Sequence, residues 1–181
     1  MKRLSVAVTA GLALAACSDA DTAGSVRTTA PPASPLEAYA PTTQQRTEAV
    51  AALQRLFDAL ETGDADLLRS VLDPSVVMHS TETRDGQTTF GSATVDALAT
   101  RISTSDVRLI ERMWDPVVVV SGSLATIWTP YDFYSGTTFS HCGVDSATLL
   151  DTDEGWKIVA LSWTRLQPPA CALHPEGPPN G

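Results

Sequence analysis

From Gln44 to Ile102 the apolar residues return every three or four positions, whereas beyond Val107 they gather into longer runs rich in Val, Ile, Thr and aromatic side chains. The first pattern predicts helices. Val50, Leu53, Phe57 and Leu60 share one face of a helix from about Thr43 to Thr62. Gly63 supplies a C-terminal stop and Asp64 an N-cap, so 65–72 reads as a short second helix with Leu67, Leu68, Val71 and Leu72 inward, ended by Asp73-Pro74. Segments 76–80 and 88–90, linked through an Asp85-Gly86 turn, read as a small hairpin. Ser92 can cap a third helix reaching about Ile102, with Val95, Leu98 and Ile102 on one face. Four β-like runs follow, 107–120, 124–134, 137–150 and 156–167, parted by Ser121-Gly122-Ser123, Ser135-Gly136 and the 151–155 segment. They predict an antiparallel meander. Pro116 has no N–H for a ladder, so Asp115-Pro116 marks a bend that curves the first long strand. The pattern as a whole is that of an α+β domain.

The segment before Gln44 follows neither rhythm. Met1-Lys2-Arg3 precedes an apolar run, Leu4 to Ala13, that falls short of the about 20 residues a membrane-spanning helix needs. It reads as an export signal. The run closes on Leu14-Ala15-Ala16-Cys17, similar to the bacterial lipobox, in which the cysteine sulfur receives lipid and becomes the first residue of the mature chain. The expected organisation is a signal peptide over 1–16, a disordered tether over 17–43 carrying Pro31, Pro32, Pro35 and Pro41, the folded domain over 44–167 and a flexible Pro/Gly-rich tail over 168–181. The expected location is the cell envelope, held by the Cys17 lipid: on the outer membrane facing the periplasm in a diderm, at the cell surface in a monoderm.

A formal net charge of −9, more negative once Lys2 and Arg3 leave with the signal, opposes binding to nucleic-acid phosphates. Lipidation of Cys17 would leave Cys142 and Cys171 as an even pair in an oxidising compartment, a candidate disulfide whose alternative is two free thiols.

Three segments carry a family resemblance: Leu60-x-x-Gly63-Asp64-x-Asp66-x-Leu68, then Leu72-Asp73-Pro74-x-Val76, then Gly155-Trp156-Lys157-Ile158. With the order helix, short helix, small strands, helix and meander, the stretch from about Gln44 to Gln167 resembles the nuclear transport factor 2-like superfamily, in its SnoaL-like or DUF4440-like branch. The resemblance implies a cone in which a curved antiparallel sheet wraps around three N-terminal helices and encloses an apolar pocket. It does not choose an activity, since members include ketosteroid isomerases, scytalone dehydratase, polyketide cyclases, limonene epoxide hydrolases and non-catalytic modules. The positions of the isomerase tyrosine and aspartate fall on Leu56 and about Ser80, neither of which can do that work.

The densest set of polar and aromatic groups spans Trp128 to Asp145. A two-residue turn at Ser135-Gly136 would place Pro130 opposite His141 with Asp132 on the diagonal, and a four-residue turn would place Asp132 directly opposite His141. Either turn puts Trp128, Asp132, Tyr134, His141 and Asp145 on one face and Ile127, Tyr131, Phe133, Cys142 and Val144 on the other; a three-residue turn would scramble this. An aspartate beside a histidine raises the imidazole pKa toward or above neutrality and orients it, as a general base requires. On that reading Asp132 and His141 form a base, with Tyr131 or Tyr134 donating to an enolate-like oxygen. The plainer reading is a cross-strand charge pair on a half-exposed sheet face. Trp114, which neighbours the Pro116 bend, Arg112, which would present a positive group at the rim, and Trp128 are the further pocket candidates.

No metal is expected, because His141 and Asp145, four residues apart on a strand, stand roughly 13 Å from each other. No cofactor is expected either: the phosphate loop, Cys-x-x-Cys and Gly-x-Ser-x-Gly patterns are missing. The leading expectation is a non-catalytic protein binding an unknown small apolar or amphipathic molecule, with a homodimer through the sheet face as a further possibility. The alternatives are a lyase, isomerase or cyclase using Asp132 and His141, and an envelope assembly module.

Overall fold

The computed structural model describes residues 35–179. The expected signal peptide, Cys17 and most of the expected tether lie outside the described residues. The tether's last part is described, and there Pro35–Tyr39 forms a 3-10 helix that packs against a strand of the domain, Val117–Ser121.

The first helix, α1 (Thr43–Thr62), begins in a capping box: Thr42 accepts from the Gln45 backbone while the Gln45 side chain accepts from Thr42 N–H. It ends at Gly63, whose φ of 70° is the left-handed stop that a glycine provides. Asp64 caps α2 (Ala65–Val71) through the amides of Asp66 and Leu67. α3 (Val95–Ser103) is capped by Thr94 rather than Ser92, because the preceding strand runs on through Ser92. Leu53, Leu56, Phe57, Leu68, Val71, Ala99 and Ile102 pack under the sheet with Met78, Ile127, Leu149 and Ile158 as one continuous core.

Seven strands follow the sequence as β1 (Val77–Arg84), β2 (Gln87–Thr94), β3 (Leu109–Met113), β4 (Val117–Ser121), β5 (Leu124–Ser135), β6 (Thr138–Thr152) and β7 (Gly155–Arg165). The sheet order is β2-β1-β7-β6-β5-β3, with β4 also on β5. The sheet is mixed rather than antiparallel throughout, since β1 pairs parallel with β7 through His79↔Ser162 to Glu82↔Arg165. The single run expected over 107–120 breaks into β3 and β4 at Trp114-Asp115-Pro116, where Asp115 adopts φ 47°. Both halves pair with β5, so the break bends one edge of the sheet without ending it. The sheet curves around the helices without closing into a barrel.

The face turned away from the helices carries exposed Phe90 and Trp128, 84% and 53% accessible, among Ser and Thr residues. The tail is not free after Cys171. Cys142 and Cys171 are bonded, with Cα atoms 5.8 Å apart. Three residues further on, the His174 amide donates to Asp132 at 3.0 Å and its ring meets Trp114 edge-on at 5.4 Å.

One close approach decides the local geometry of β6 and β7. Between Asp145↔Trp163 and the Cys142↔Leu166 bridge, the Thr164 hydroxyl takes the Val144 amide at 3.0 Å and the Thr164 carbonyl turns toward Gly143. A Cβ at 143 would collide with that backbone carbonyl, which cannot swing aside as a side chain could. Gly143→Ala is therefore expected to destabilise the domain by about 3 kcal/mol, the upper part of the overpacking range, with a matching drop in the denaturant midpoint.

Candidate functional site

The site is built by one extra residue in β6. The hairpin turns at Gly136-Thr137, so Ser135 pairs with Thr138 and Tyr134 with Phe139; the register then shifts, and Phe133 pairs with His141. Ser140 is the residue left over. Without it Asp132 would face His141. With it Asp132 pairs with Cys142, and every side chain from 141 onward exchanges faces relative to the expected arrangement.

The Asp132–His141 base is thus not formed. Asp132 lies on the outer side of the sheet, fully buried, and its two oxygens accept from Arg112 Nε at 3.0 Å and Nη2 at 2.7 Å. Arg112 stands 5.4 Å over the Tyr134 ring, and Trp114 packs on His174, so these four candidates form the seat of the C-terminal tail. Trp128 lines a shallow hollow on the outer face with His79, Thr81 and Phe90. Of the expected site residues, Tyr131 and His141 face the interior cavity.

That cavity, holding about 110 Å³ of space, lies between the helices and the inner sheet face. Its wall is mostly apolar, with Leu56, Phe57, Leu98, Leu109, Phe133 and Trp163 among the lining residues. Its polar groups are Glu111, Asp145, Tyr131, Ser140, His141, Arg101 and Arg165. Glu111, on β3, is inward because its partner Phe133 is; Asp145, on β6, is inward because it pairs with Thr129. β5 runs between them, and Tyr131 lies on that strand.

The Glu111 and Asp145 carboxyls are hydrogen-bonded to one another, which requires a proton between them. Burial is the main cause that pushes Glu111 well above the usual carboxylate range, and the neighbouring Asp145 charge adds to it. Asp145, 2% exposed, is raised to about 7, again by burial, with the Glu111 hydrogen bond opposing. Its Oδ2 receives no donor from the other described residues, so a proton shared with Glu111 or a donor brought by a ligand is what remains to satisfy it. The pair can hold or release one proton near neutral pH on the wall of a mostly apolar chamber.

Tyr131 donates to the Thr164 carbonyl at 2.8 Å, and burial followed by the Glu111 and Asp145 charges raises its pKa. It stays a neutral phenol. His141 stacks on Phe133 at 4.9 Å and meets the Tyr131 ring edge-on at 5.7 Å, with Nδ1 2.9 Å from Ser140 Oγ. Its pKa is lowered to about 4, first by burial and then by the Arg165 and Arg101 charges, the reverse of the rise expected beside an aspartate. The imidazole is neutral at physiological pH. Among the described residues no three His, Cys, Asp or Glu side chains gather into a metal-binding group.

Glu111 escaped the sequence reading, although Leu109, Glu111 and Met113 alternate along β3 and mark an acid on the inward face. Asp145 was seen only as a neighbour of His141.

A family model described as "Putative lumazine-binding" matches residues 44–164. Among solved structures, a nuclear transport factor 2-like superfamily protein from Salmonella enterica is 15% identical, with a TM-score of 0.56, over 71% of this chain and 96% of that one. An NTF2-like protein from Cytophaga hutchinsonii is 17% identical, with a TM-score of 0.55, over 67% of this chain and 98% of that one. A protein of unknown function from Mycobacterium tuberculosis is 16% identical, with a TM-score of 0.54, over 71% and 80%. A comparison with curated proteins finds no match. At these identities the shared feature is the fold.

The acid pair has a pH signature. Asp145 titrates at 3.8 in an unfolded chain and at about 7 in the folded one. Between those values the folded chain keeps a proton that the unfolded chain has lost, so this group's contribution to stability falls as pH rises through the window and is fully unfavourable above it. His141 acts oppositely, losing stability as pH falls from 6.5 toward 4. The difference in melting temperature between Asp145→Asn and the parent protein isolates the acid: it should shift in favour of the variant from pH 4.5 to pH 8. A difference independent of pH would show that Asp145 ionises normally in the fold.

Proposed function

The chain belongs to the lumazine-binding-like family of the nuclear transport factor 2-like superfamily, and on that premise we propose that it binds one small, largely apolar molecule in the cavity under its sheet. The observation that carries this reading is the buried Glu111–Asp145 acid pair on the wall of a mostly apolar chamber, where one Asp145 oxygen has no donor among the described residues beyond a proton shared with Glu111. A chamber kept only for packing would do better filled with hydrocarbon, because a buried carboxyl lacking full hydrogen bonding costs about 1–3 kcal/mol or more. A ligand that presents a hydroxyl or ring N–H to the acid pair, and apolar surface to Leu56, Phe57, Leu98 and Phe133, supplies what is missing. Lumazine, a flat heteroaromatic with both donors and acceptors, is a natural first probe given the family description.

In a thermal-shift series with lumazine, flat aromatic compounds and isoprenoid alcohols, a true ligand at a hundredfold its Kd should stabilise the fold by about 2.7 kcal/mol. Leu98→Trp, at the half-buried edge of the cavity, should abolish that shift while leaving the unliganded melting temperature within a few degrees. A flat response to the whole series would count against the reading.

A second reading has its own observation. A carboxyl pair whose Asp145 member titrates at about 7, next to the neutral Tyr131 phenol, is equipped to move a proton on a bound carbonyl compound, as an isomerase or lyase does. That chemistry would rest on Glu111 and Asp145, not on Asp132 and His141. Turnover lost in both Glu111→Gln and Asp145→Asn would establish it; binding without turnover leaves the protein a carrier.

The place of action is proposed from the sequence. No described helix is long and apolar enough to cross a membrane. The Leu14-Ala15-Ala16-Cys17 motif supports a lipid on Cys17 that holds the domain at the cell envelope. Labelled fatty acid should enter the parent protein in growing bacteria and not the Cys17→Ser variant, which should leave the membrane fraction.

A further inference from the structure

The charged groups of the cavity differ in depth. Asp145, of the acid pair, is buried. Arg101 from the last turn of α3, exposed, and Arg165 from the end of β7, half-buried, line the same chamber with Ser140 and His141, and both charges act on His141. Neither guanidinium is fully paired among the described residues. Arg165 Nη1 stands 3.5 Å from Glu82, a loose pair, while its Nε is buried with no partner among the described residues. Arg101 is exposed at the edge, and its guanidinium makes no ion pair or hydrogen bond among them.

Two guanidinium groups lining one small cavity, in a chain with net charge −9, leave it with positive charge that the acidic residues elsewhere do not neutralise there. His141, between them and the apolar wall, is kept neutral by burial and by those same charges. With Nδ1 engaged by Ser140 Oγ, its Nε2 has no partner among the described residues. A neutral imidazole beside two cations adds hydrogen-bonding capacity without adding a third charge. The group that would satisfy all three is an anion with several acceptor oxygens.

We propose that the cavity's ligand is an amphipathic acid, its apolar body lying against Phe57, Leu98 and Phe133 and its anionic group held between Arg101 and Arg165 at the Ser140–His141 edge. This rests on the cavity being a ligand site, and it specifies the class of ligand. The buried acid pair then meets another part of the molecule, which carries a neutral donor such as a hydroxyl or ring N–H. A carboxylate there would be rejected by the buried acids. The ligand accordingly lies with its anion toward exposed Arg101 and its neutral polar group toward buried Asp145.

The test pairs acids with alcohols of the same body: 2-naphthoate with 2-naphthylmethanol, and decanoate with 1-decanol, titrated calorimetrically into the purified protein at pH 7.5. At least one acid should bind about tenfold or more tighter than its alcohol, the scale of one good charge-assisted contact. Its affinity should fall with added NaCl. Arg101→Gln should remove most of that advantage while leaving alcohol binding unchanged; because Arg101 is exposed and unpaired, this variant keeps the fold. Arg165→Gln should act in the same direction. Alcohols binding as well as acids, or acids indifferent to both substitutions, would overturn the anionic assignment and leave the cavity reading standing. If neither acids nor alcohols bind, and Leu98→Trp behaves as the parent does, the cavity reading fails and the anionic assignment with it.

Discussion

The arrangement of this domain hangs on a single unpaired residue. Ser140 interrupts the β5–β6 ladder two residues after the hairpin begins, and a strand's side chains alternate faces, so the interruption reassigns every position beyond it. His141 and Asp145 move to the inside of the cone, where they join Glu111, Tyr131 and Arg165. Asp132 and Cys142 are left on the outside, where they become the attachment points of the C-terminal tail. One bulge therefore separates a chamber from an anchorage, using residues that stand next to each other in the chain.

The chamber is an unfavourable place for charge, and the protein has put six ionisable side chains around it. Apolar burial of α1 and α3 against the sheet supplies the stability that such a collection draws on. The compensation is local where it can be: Glu111 and Asp145 share a proton, Tyr131 gives its hydrogen to a backbone carbonyl, and His141 gives up its charge. Of the three buried polar atoms left without a partner among the described residues, an Asp145 oxygen and an Arg165 nitrogen lie on the chamber's wall, and the third, the Trp156 indole nitrogen, lies in the packed core.

Much of the fold was legible because it follows from periodicity and punctuation. The helices, the Gly63-Asp64 junction and the long strands were all visible in spacing and caps. The resemblance to the nuclear transport factor 2-like superfamily agrees with both the family match and the structural neighbours. Two features were not legible. The parallel pairing of β1 with β7 joins segments about eighty residues apart, and no local pattern announces such a contact. The bulge at Ser140 has no glycine or proline to mark it; the segment Thr137 to Asp145 reads as an ordinary strand, and the faces derived from it were inverted beyond that point. The site was therefore half seen: Tyr131 and His141 were named, but with the wrong companion, and Glu111 went unnoticed because its significance exists only across β5.

The position of β7 has a temporal meaning. It lies between β1 and β6, so a strand near the middle of the sheet is the last of the seven to be synthesised. Before it arrives, the nascent chain consists of a helical piece carrying β1 and β2 and a separate meander of β3 to β6, each showing a bare strand edge to its surroundings. Neither fragment encloses anything, since Leu161, Trp163 and Arg165, which wall the cavity, come with the closing strand. A chain ended before β7 is for this reason not a weakened version of the domain but two incomplete sheets, and the chamber comes into being only once β7 has been made.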